Sequence, residues 1–194
     1  TYASCPFRYY LSEILNLKKV PSPEEIRRIE PLDRGTLLHK ILHDFYRQAA
    51  AEIHLPLKPD RLAAAWKIME RVARRAFSEE EAKGGTGLAL LWDLDRRSLL
   101  EDLRTFLKKE AGFDENFVPE NFEIQFGFER RQDPTLRPAL LMDDKTVVFL
   151  RGRIDRVDRS AGGDRLRVID YKSGKIRGEE DGFGGGTSLQ LPLY

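Results

Sequence analysis

The pattern of apolar positions along the chain changes its period near residue 117. Before that point, apolar residues recur at the i, i+3, i+4 spacing of amphipathic helices. Four segments follow this spacing, at residues 3–17, 33–51, 59–83 and 88–111. After that point, apolar and polar residues alternate, as they do on strands that bury one face. The pattern predicts helices followed by strands, an α+β architecture in which a helical part covers a sheet.

Two of the predicted helices carry details that bear on function. The first should be capped by Ser4, with Pro6 in its first turn. The second carries His39 at the margin of its apolar stripe and His43 further towards the polar side. The glutamate that follows the first histidine in a zinc-binding H-E-x-x-H helix is missing, so a zinc pair is not expected. His39 can face a cleft, or it can be a boundary residue satisfied by its neighbours.

The alternating segments predict a sheet. Strands are expected at residues 122–128, 139–142, 146–159 and 166–172, and a short closing helix at residues 187–194. On the first strand, Glu123 and Glu129 lie on the face opposite the phenylalanines. These two glutamates could approach a metal site, but an exposed strand face is the favoured interpretation.

The segment Arg151–Lys172 gives the strongest local signal. The pair Gly162–Gly163 separates two apolar-rich runs, which is typical of a β-hairpin. If these glycines are the central loop residues, the numbers of paired residues sum to 325, and Asp155 lies opposite Asp170. Side chains alternate between the two faces of a strand, so Lys172 shares the face of both aspartates.

Two facing carboxylates are an unusual feature of a hairpin. Their Cβ atoms would lie about 5 Å apart, and two negative charges at that distance repel by about 3 kcal/mol at an effective dielectric of about 20. A divalent cation would turn this repulsion into attraction, and oxygen ligands suit Mg²⁺ or Mn²⁺. Alternatively, the aspartates are solvated, or Arg153 and Lys172 neutralise them. These residues alone leave both interpretations open.

Composition narrows the class of protein. The 194 residues suit one domain with a real core, and 41% are hydrophobic and 34% charged. A net charge of +1 excludes a histone-like binder but allows a local basic groove. No apolar run reaches the roughly 18 residues of a membrane span, and the single cysteine, Cys5, excludes a disulfide framework and fits the cytoplasm. The chain starts without Met and stops in an apolar run, so a fragment of a longer protein is expected.

Four segments together resemble the PD-(D/E)XK nuclease superfamily, and within it the RecB-like branch. They are, in chain order, RGTLLHKILHDFY, GRIDRVD, VIDYKSGK and SLQLPLY. The branch includes the nuclease domains of RecB and AddB and the CRISPR-associated RecB-like exonucleases. The resemblance covers nearly the whole chain. It implies a restriction-endonuclease-like core, with a mixed, mainly antiparallel sheet flanked by helices. The single domain would be mainly helical over residues 1–115 and would hold the sheet over residues 116–194.

The resemblance also implies roles for individual residues. The implied ligands of Mg²⁺ or Mn²⁺ are His39, Asp155, Asp170 and the carbonyl of Tyr171. The implied catalytic residues are Asp155, Asp170, Lys172, Gln190 and Tyr194. The basic residues expected to neutralise DNA phosphates, which makes binding depend on salt, are Arg151, Arg153 and Lys175.

The implied activity is metal-dependent hydrolysis of DNA in repair or recombination, with a helicase domain or subunit as partner and no membrane. The alternatives are a catalytically inactive DNA-binding or scaffolding module, and a nuclease acting on RNA or on transposition intermediates. The presence of Asp155, Asp170 and Lys172 favours the enzyme. Cys5 resembles the first cysteine of iron–sulfur members of the branch. A [4Fe–4S] cluster needs four ligands, so it requires further cysteines beyond Tyr194; otherwise Cys5 is a small buried residue.

Overall fold

A computed structural model describes residues 2, 4–17, 28–113, 116–127, 139–142 and 147–172. The predicted site residues Lys175, Gln190 and Tyr194 lie outside the described residues, as do Glu129 and the predicted closing helix. Within the described residues, no helix combines the length and the apolar character that crossing a membrane requires.

The described residues of the helical part contain one short helix and three long ones. Their bounds are α1 (Pro6–Tyr9), α2 (Pro31–Glu52), α3 (Leu62–Lys83) and α4 (Ala89–Ala111). A π-helical turn, Tyr10–Ile14, follows α1, and a 3₁₀ turn, Pro59–Arg61, precedes α3. The predicted limits of the three long helices are confirmed to within three residues. The helix α3 ends at Gly84, whose φ of 78° is the left-handed conformation typical of helix ends.

The start of α1 differs from the prediction. Cys5, not Ser4, is the N-cap: its backbone is extended, and its Sγ accepts a hydrogen bond from the amide of Arg8 at 3.5 Å. Pro6 at the first helical position explains this, because proline disfavours a helical conformation in the residue before it. Cys5 is half-buried, and Phe7 on the predicted apolar stripe is exposed.

The main apolar core lies among the long helices, where α3 packs against both α2 and α4. Its most deeply buried large side chains include Ile41, Phe45, Met69, Leu99 and Leu103. Burial of each contributes about 1.5–3 kcal/mol before the entropic cost. This core holds α2 in place, and with it the histidine that the sequence placed at the edge of the apolar stripe.

The described strands form two antiparallel sheets. Their bounds are β1 (Phe117–Phe126), β2 (Ala139–Met142), β3 (Val147–Leu150), β4 (Gly152–Ser160) and β5 (Leu166–Ile169). Among the described strands, the order of the larger sheet is β1-β4-β5, and β2 and β3 pair with each other. Helices beside an antiparallel sheet confirm the predicted α+β class and agree with a restriction-endonuclease-like fold.

The predicted strand over residues 146–159 is wrong in one respect, because it is two strands in two sheets. The break falls at Arg151, where the end of β1 approaches very closely. A Cβ on Gly127 would lie 2.6 Å from the Cβ of Arg151, and the φ of Gly127 is 75°. Only glycine fits this position without strain. The crossing point separates β3, which pairs with β2, from β4, which pairs with β1 and β5.

The predicted hairpin register is confirmed. The strands β4 and β5 form four residue pairs, from Arg156 with Ile169 to Arg159 with Leu166. In each pair the two residue numbers sum to 325, as predicted. The amide of Ser160 donates to the carbonyl of its partner at position 165, and the loop between them is four residues long. The strand β5 ends three residues earlier than predicted. The same register continued by one pair sets positions 155 and 170 opposite each other.

Candidate active site

Three potential metal ligands come together where α2 meets β1 and β4. His39 Nδ1 lies 3.2 Å from Asp155 Oδ1 and 3.6 Å from Glu123 Oε1. One ligand atom from each residue lies within 4.8 Å of the others, and within the described residues this is the group of three that could hold an ion. Ligand atoms around an octahedral ion at about 2.1 Å lie about 3–4 Å apart. One imidazole nitrogen and two carboxylates therefore fit a divalent cation with small movements.

The secondary structure explains two of the three positions. His39 lies on the margin of the buried stripe of α2, as predicted, and its side chain is 27% exposed. Asp155 lies in the middle of β4, between neighbours that are paired with β1, and its side chain is 5% exposed. A carboxylate this buried needs compensating partners. Its partners are His39 and a main-chain amide.

Glu123 is a site residue that the sequence suggested as a possible neighbour of a metal site but did not favour. The favoured interpretation as an exposed strand face is wrong, because its side chain is 18% exposed and approaches His39. In the β1–β4 register, residues 122 and 124 pair with 156 and 154, so Glu123 lies opposite Asp155. Its second carboxylate oxygen lies 3.0 Å from Arg153 Nη1. The signal that would have found it is this β1–β4 register, which joins strands distant in sequence.

The backbone of Glu123 is strained. Its φ is 53°, in the left-handed region, which costs a residue other than glycine about 1–3 kcal/mol. The register of β1 also shifts between Pro119 and Asn121. Irregular strands of this kind often redirect a side chain beside a functional site. Here the irregularity accompanies a carboxylate that faces His39 and Asp155.

Tyr171 connects two members of the cluster through its main chain. Its amide donates to Asp155 Oδ2 at 2.7 Å, and its carbonyl oxygen lies 3.1 Å from His39 Nε2. The carbonyl predicted as a metal ligand thus lies beside the predicted histidine, but at Nε2, whereas the two carboxylates lie at Nδ1. Tyr171 follows β5 by two residues, so the hairpin register fixes where its main-chain groups lie.

Asp170 and Lys172 form a neighbouring pair. Lys172 Nζ lies 2.7 Å from Asp170 Oδ2, and the Asp170 side chain is 4% exposed whereas that of Lys172 is 49% exposed. Asp170 is not part of the group of three around His39. Lys172 therefore neutralises Asp170, as the second interpretation of the hairpin expects. Arg153 forms an ion pair with Glu123.

The electrostatics of the cluster favour a charged pair. The hydrogen bond with Asp155 raises the pKa of His39 and outweighs the opposing effect of burial. Burial acts to raise the pKa of Asp155, but the hydrogen bonds from His39 and from the Tyr171 amide outweigh it, so that pKa is lowered. A carboxylate that stays ionised when buried is suited to hold a cation.

The cluster opens into a cleft of about 590 Å³. Its polar and charged lining residues are Thr36, His39, Lys40, His43, Glu123, Gln125, Arg153 and Lys172. Arg153 and Lys172 thus lie where a bound anion would meet them. Arg151 is exposed at the break between β3 and β4 and is not among the residues that line the cleft. Cys5 caps α1 and does not belong to the group of three.

Comparison with known proteins identifies the family. A model of the PD-(D/E)XK nuclease superfamily matches residues 1–194. The chain belongs to the PD-(D/E)XK nuclease superfamily. The predicted membership is confirmed.

Relatives of this PD-(D/E)XK chain include two proteins that are each named as a subunit of an ATP-dependent helicase/deoxyribonuclease. The one from Acetivibrio thermocellus is 30% identical over 203 residues, and the one from Symbiobacterium thermophilum is 32% identical over 213 residues. Each match covers 100% of this chain and 16% of the relative. The chain thus spans about one sixth of the length of these relatives. The predicted place in the RecB-like branch is confirmed.

Proposed function

We propose that this chain is the nuclease domain of a helicase–nuclease and hydrolyses DNA phosphodiester bonds with the help of Mg²⁺ or Mn²⁺. The observation that carries the proposal is the group of His39, Glu123 and Asp155, joined to the main chain of Tyr171 in a cleft with basic side chains. Membership of a nuclease superfamily and relatives named as deoxyribonuclease subunits support the reaction and the substrate.

The proposed ligands are His39, Asp155, Asp170 and the carbonyl of Tyr171, with Glu123 as an addition from the geometry. The donor set is mainly oxygen, which suits Mg²⁺ or Mn²⁺, and the imidazole shifts the preference towards Mn²⁺. A bound ion of this kind polarises a phosphoryl oxygen and lowers the pKa of a bound water. Asp155 and Glu123 bring negative charge to the site from adjacent strands.

The other residues act on the substrate. Lys172, held by Asp170 at 2.7 Å, orients the attacking water or stabilises the negative charge that develops on the phosphate. Arg153, together with Arg151 and Lys175, neutralises neighbouring phosphates, so binding weakens as salt rises. Gln190 and Tyr194 are proposed from the resemblance to position the water or the phosphate.

The wider setting is also a proposal. The relatives are named as helicase/deoxyribonuclease subunits, so we propose a helicase domain or subunit as the partner, a role in repair or recombination, and a cytoplasmic location. The chain forms one domain whose helical part supports the sheet. An iron–sulfur cluster with Cys5 as one of its ligands stays a prediction.

The test is cleavage of labelled linear DNA in Mg²⁺, in Mn²⁺ and in EDTA. We expect cleavage with either ion, none in EDTA, and a loss of about 100-fold or more in Asp170→Ala. Asp164→Ala is the matched control, because that carboxylate lies in the exposed hairpin loop. Unchanged activity in Asp170→Ala would contradict the assignment. A protein that binds DNA but cleaves neither DNA nor RNA with either ion would instead be the non-catalytic module.

A further inference from the structure

A second group of buried polar side chains lies close to the candidate site and has no part in the proposed reaction. Arg156 is 1% exposed. Its guanidinium donates to Tyr46 Oη at 2.5 Å and to Asp158 Oδ1 at 2.5 Å, and it lies 2.7 Å from Glu110 Oε1. We call these four residues the Arg156 cluster. It joins α2 and α4 to β4, the strand that carries Asp155.

Tyr171 lies between the Arg156 cluster and the metal ligands. Its ring meets the rings of Phe106 and His39 edge to face, with centroids 5.8 Å and 6.1 Å apart. Its hydroxyl is buried and makes no hydrogen bond with any described residue. Burial raises the pKa of Tyr171 to about 12, and the charge of Arg156 opposes this increase. Phe106 also meets the ring of Tyr46, a member of the Arg156 cluster, edge to face with centroids 6.5 Å apart, so packed rings connect Tyr171 to the cluster.

The two ends of Tyr171 have different partners. The main-chain end binds Asp155 through the amide and lies against His39 through the carbonyl. The ring end packs against the helical core. Packing of the ring restrains the Cα of Tyr171, and with it the positions that its amide and carbonyl can take. Whatever holds the ring of Tyr171 therefore helps to hold the amide that binds Asp155 and the carbonyl that lies beside His39.

We propose that the Arg156 cluster consists of positioning residues that act on the metal site through the side chain of Tyr171. Arg156 is the central residue of the cluster, because its planar guanidinium contacts both Tyr46 and Glu110, which belong to different helices. Substitution of residues that contact and orient metal ligands, without binding the ion themselves, typically changes metal affinity 10–100-fold. The identity of the ion rests on the proposed function, whereas the contacts of Tyr171 do not depend on it.

The test uses two variants, Glu110→Gln and Arg156→Lys, and two measurements on the folded protein. Hydrogen exchange of the Tyr171 amide, followed by NMR in EDTA, reports the bond to Asp155. Calorimetric titration with Mn²⁺ reports affinity. We expect the amide to exchange at least tenfold faster and the Kd for Mn²⁺ to rise about tenfold. Circular dichroism checks that each variant is folded.

Asp95→Asn is the matched control. Asp95 lies on α4 like Glu110 and is likewise a buried carboxylate paired with an arginine, Arg28. This variant should lose stability and yet keep both the Tyr171 exchange rate and the Mn²⁺ affinity within twofold of the wild type. A general loss of stability would move all three variants together and would contradict the positioning role.

The outcomes separate the two proposals. If folded Glu110→Gln keeps the wild-type exchange rate and Mn²⁺ affinity, the positioning role is wrong, and this variant decides alone should Arg156→Lys fail to fold. If the wild type binds no Mn²⁺, the proposed metal-dependent function fails. The exchange rate of the Tyr171 amide still decides the positioning role in that case.

Discussion

The helical layer and the three-stranded sheet bury different kinds of side chain. The core between α2, α3 and α4 is built from apolar residues such as Phe45 and Leu99. In contrast, β4 buries Asp155, Arg156 and Asp158. Apolar burial stabilises a fold without requiring one geometry, whereas buried charges are costly unless their partners are placed correctly. The helical layer therefore acts as the scaffold, and the sheet holds the chemistry.

The largest effect on stability should come from the scaffold. Phe45→Ala removes a fully buried ring and should lower the free energy of unfolding by about 3–5 kcal/mol. The Mn²⁺ affinity of the remaining folded protein should change little, because Phe45 meets the Arg156 cluster by packing its ring on Tyr46, and the substitution leaves the hydrogen bond between Tyr46 and Arg156 in place. Urea unfolding and calorimetry measure the two quantities. Phe149→Ala, at an exposed position, should stay within about 0.5 kcal/mol.

The next effect should come from the buried charges of β4. Asp158 accepts hydrogen bonds from Arg156 and Arg167 and is fully buried. Asp158→Asn should cost about 3 kcal/mol, because two guanidinium groups each lose one charged partner in a buried place. Unlike Phe45→Ala, it should also weaken Mn²⁺ binding. If both variants weaken Mn²⁺ binding equally, the division between scaffold and site is wrong.

A smaller effect of opposite sign is expected at the strained residue of the site. Glu123→Gly relieves a left-handed backbone and should raise the free energy of unfolding by about 1 kcal/mol. The same change should weaken Mn²⁺ binding, because it removes a carboxylate from the cluster. Glu120→Gly on the same strand is the control, and it should lose about 0.5–1 kcal/mol. A destabilised Glu123→Gly would show that the strain contributes little.

The smallest effect is the dependence of stability on pH. The pKa of His39 is raised in the folded state, so its contribution is complete below about pH 6.5 and is lost as the pH rises through the folded pKa. The pKa of Asp155 is lowered, so its contribution is present above about pH 4 and is lost as the pH falls further. The pair should stabilise the ion-free protein most between these values.

Unfolding of the wild type and of His39→Gln in EDTA, between pH 4 and pH 9, tests this window. The stability advantage of the wild type should shrink on the alkaline side. In an Asp155→Asn background, the effect of His39→Gln on the free energy of unfolding should depend much less on pH. An advantage that grows with pH would contradict the signs given above.

The sequence predicted the parts of the molecule that depend on short-range patterns. The helical stripe placed His39 at a margin, and the Gly162–Gly163 pair set the hairpin register, because both signals lie within a few residues of the positions that they determine. The resemblance to a nuclease family joined these parts into one site. The roles of Lys175, Gln190 and Tyr194 stay predictions, since these residues lie outside the described part of the chain.

The sequence could not predict features that depend on distant pairings. Glu123 reaches the site through the β1–β4 register, and the strand β1 is irregular nearby. Alternation predicts that Arg156 and Asp158 share a face, but not that a helix closes over that face and buries them. The break at Arg151 depends on the close approach of Gly127, which no local pattern indicates.

We propose that the sheet and α2 together hold a divalent ion. An anomalous difference map, measured near the manganese absorption edge from crystals grown in Mn²⁺, tests it directly. We expect one strong peak within bonding distance of His39 and Asp155 and beside Glu123. Well-ordered side chains in this cleft with no peak at saturating Mn²⁺ would contradict it.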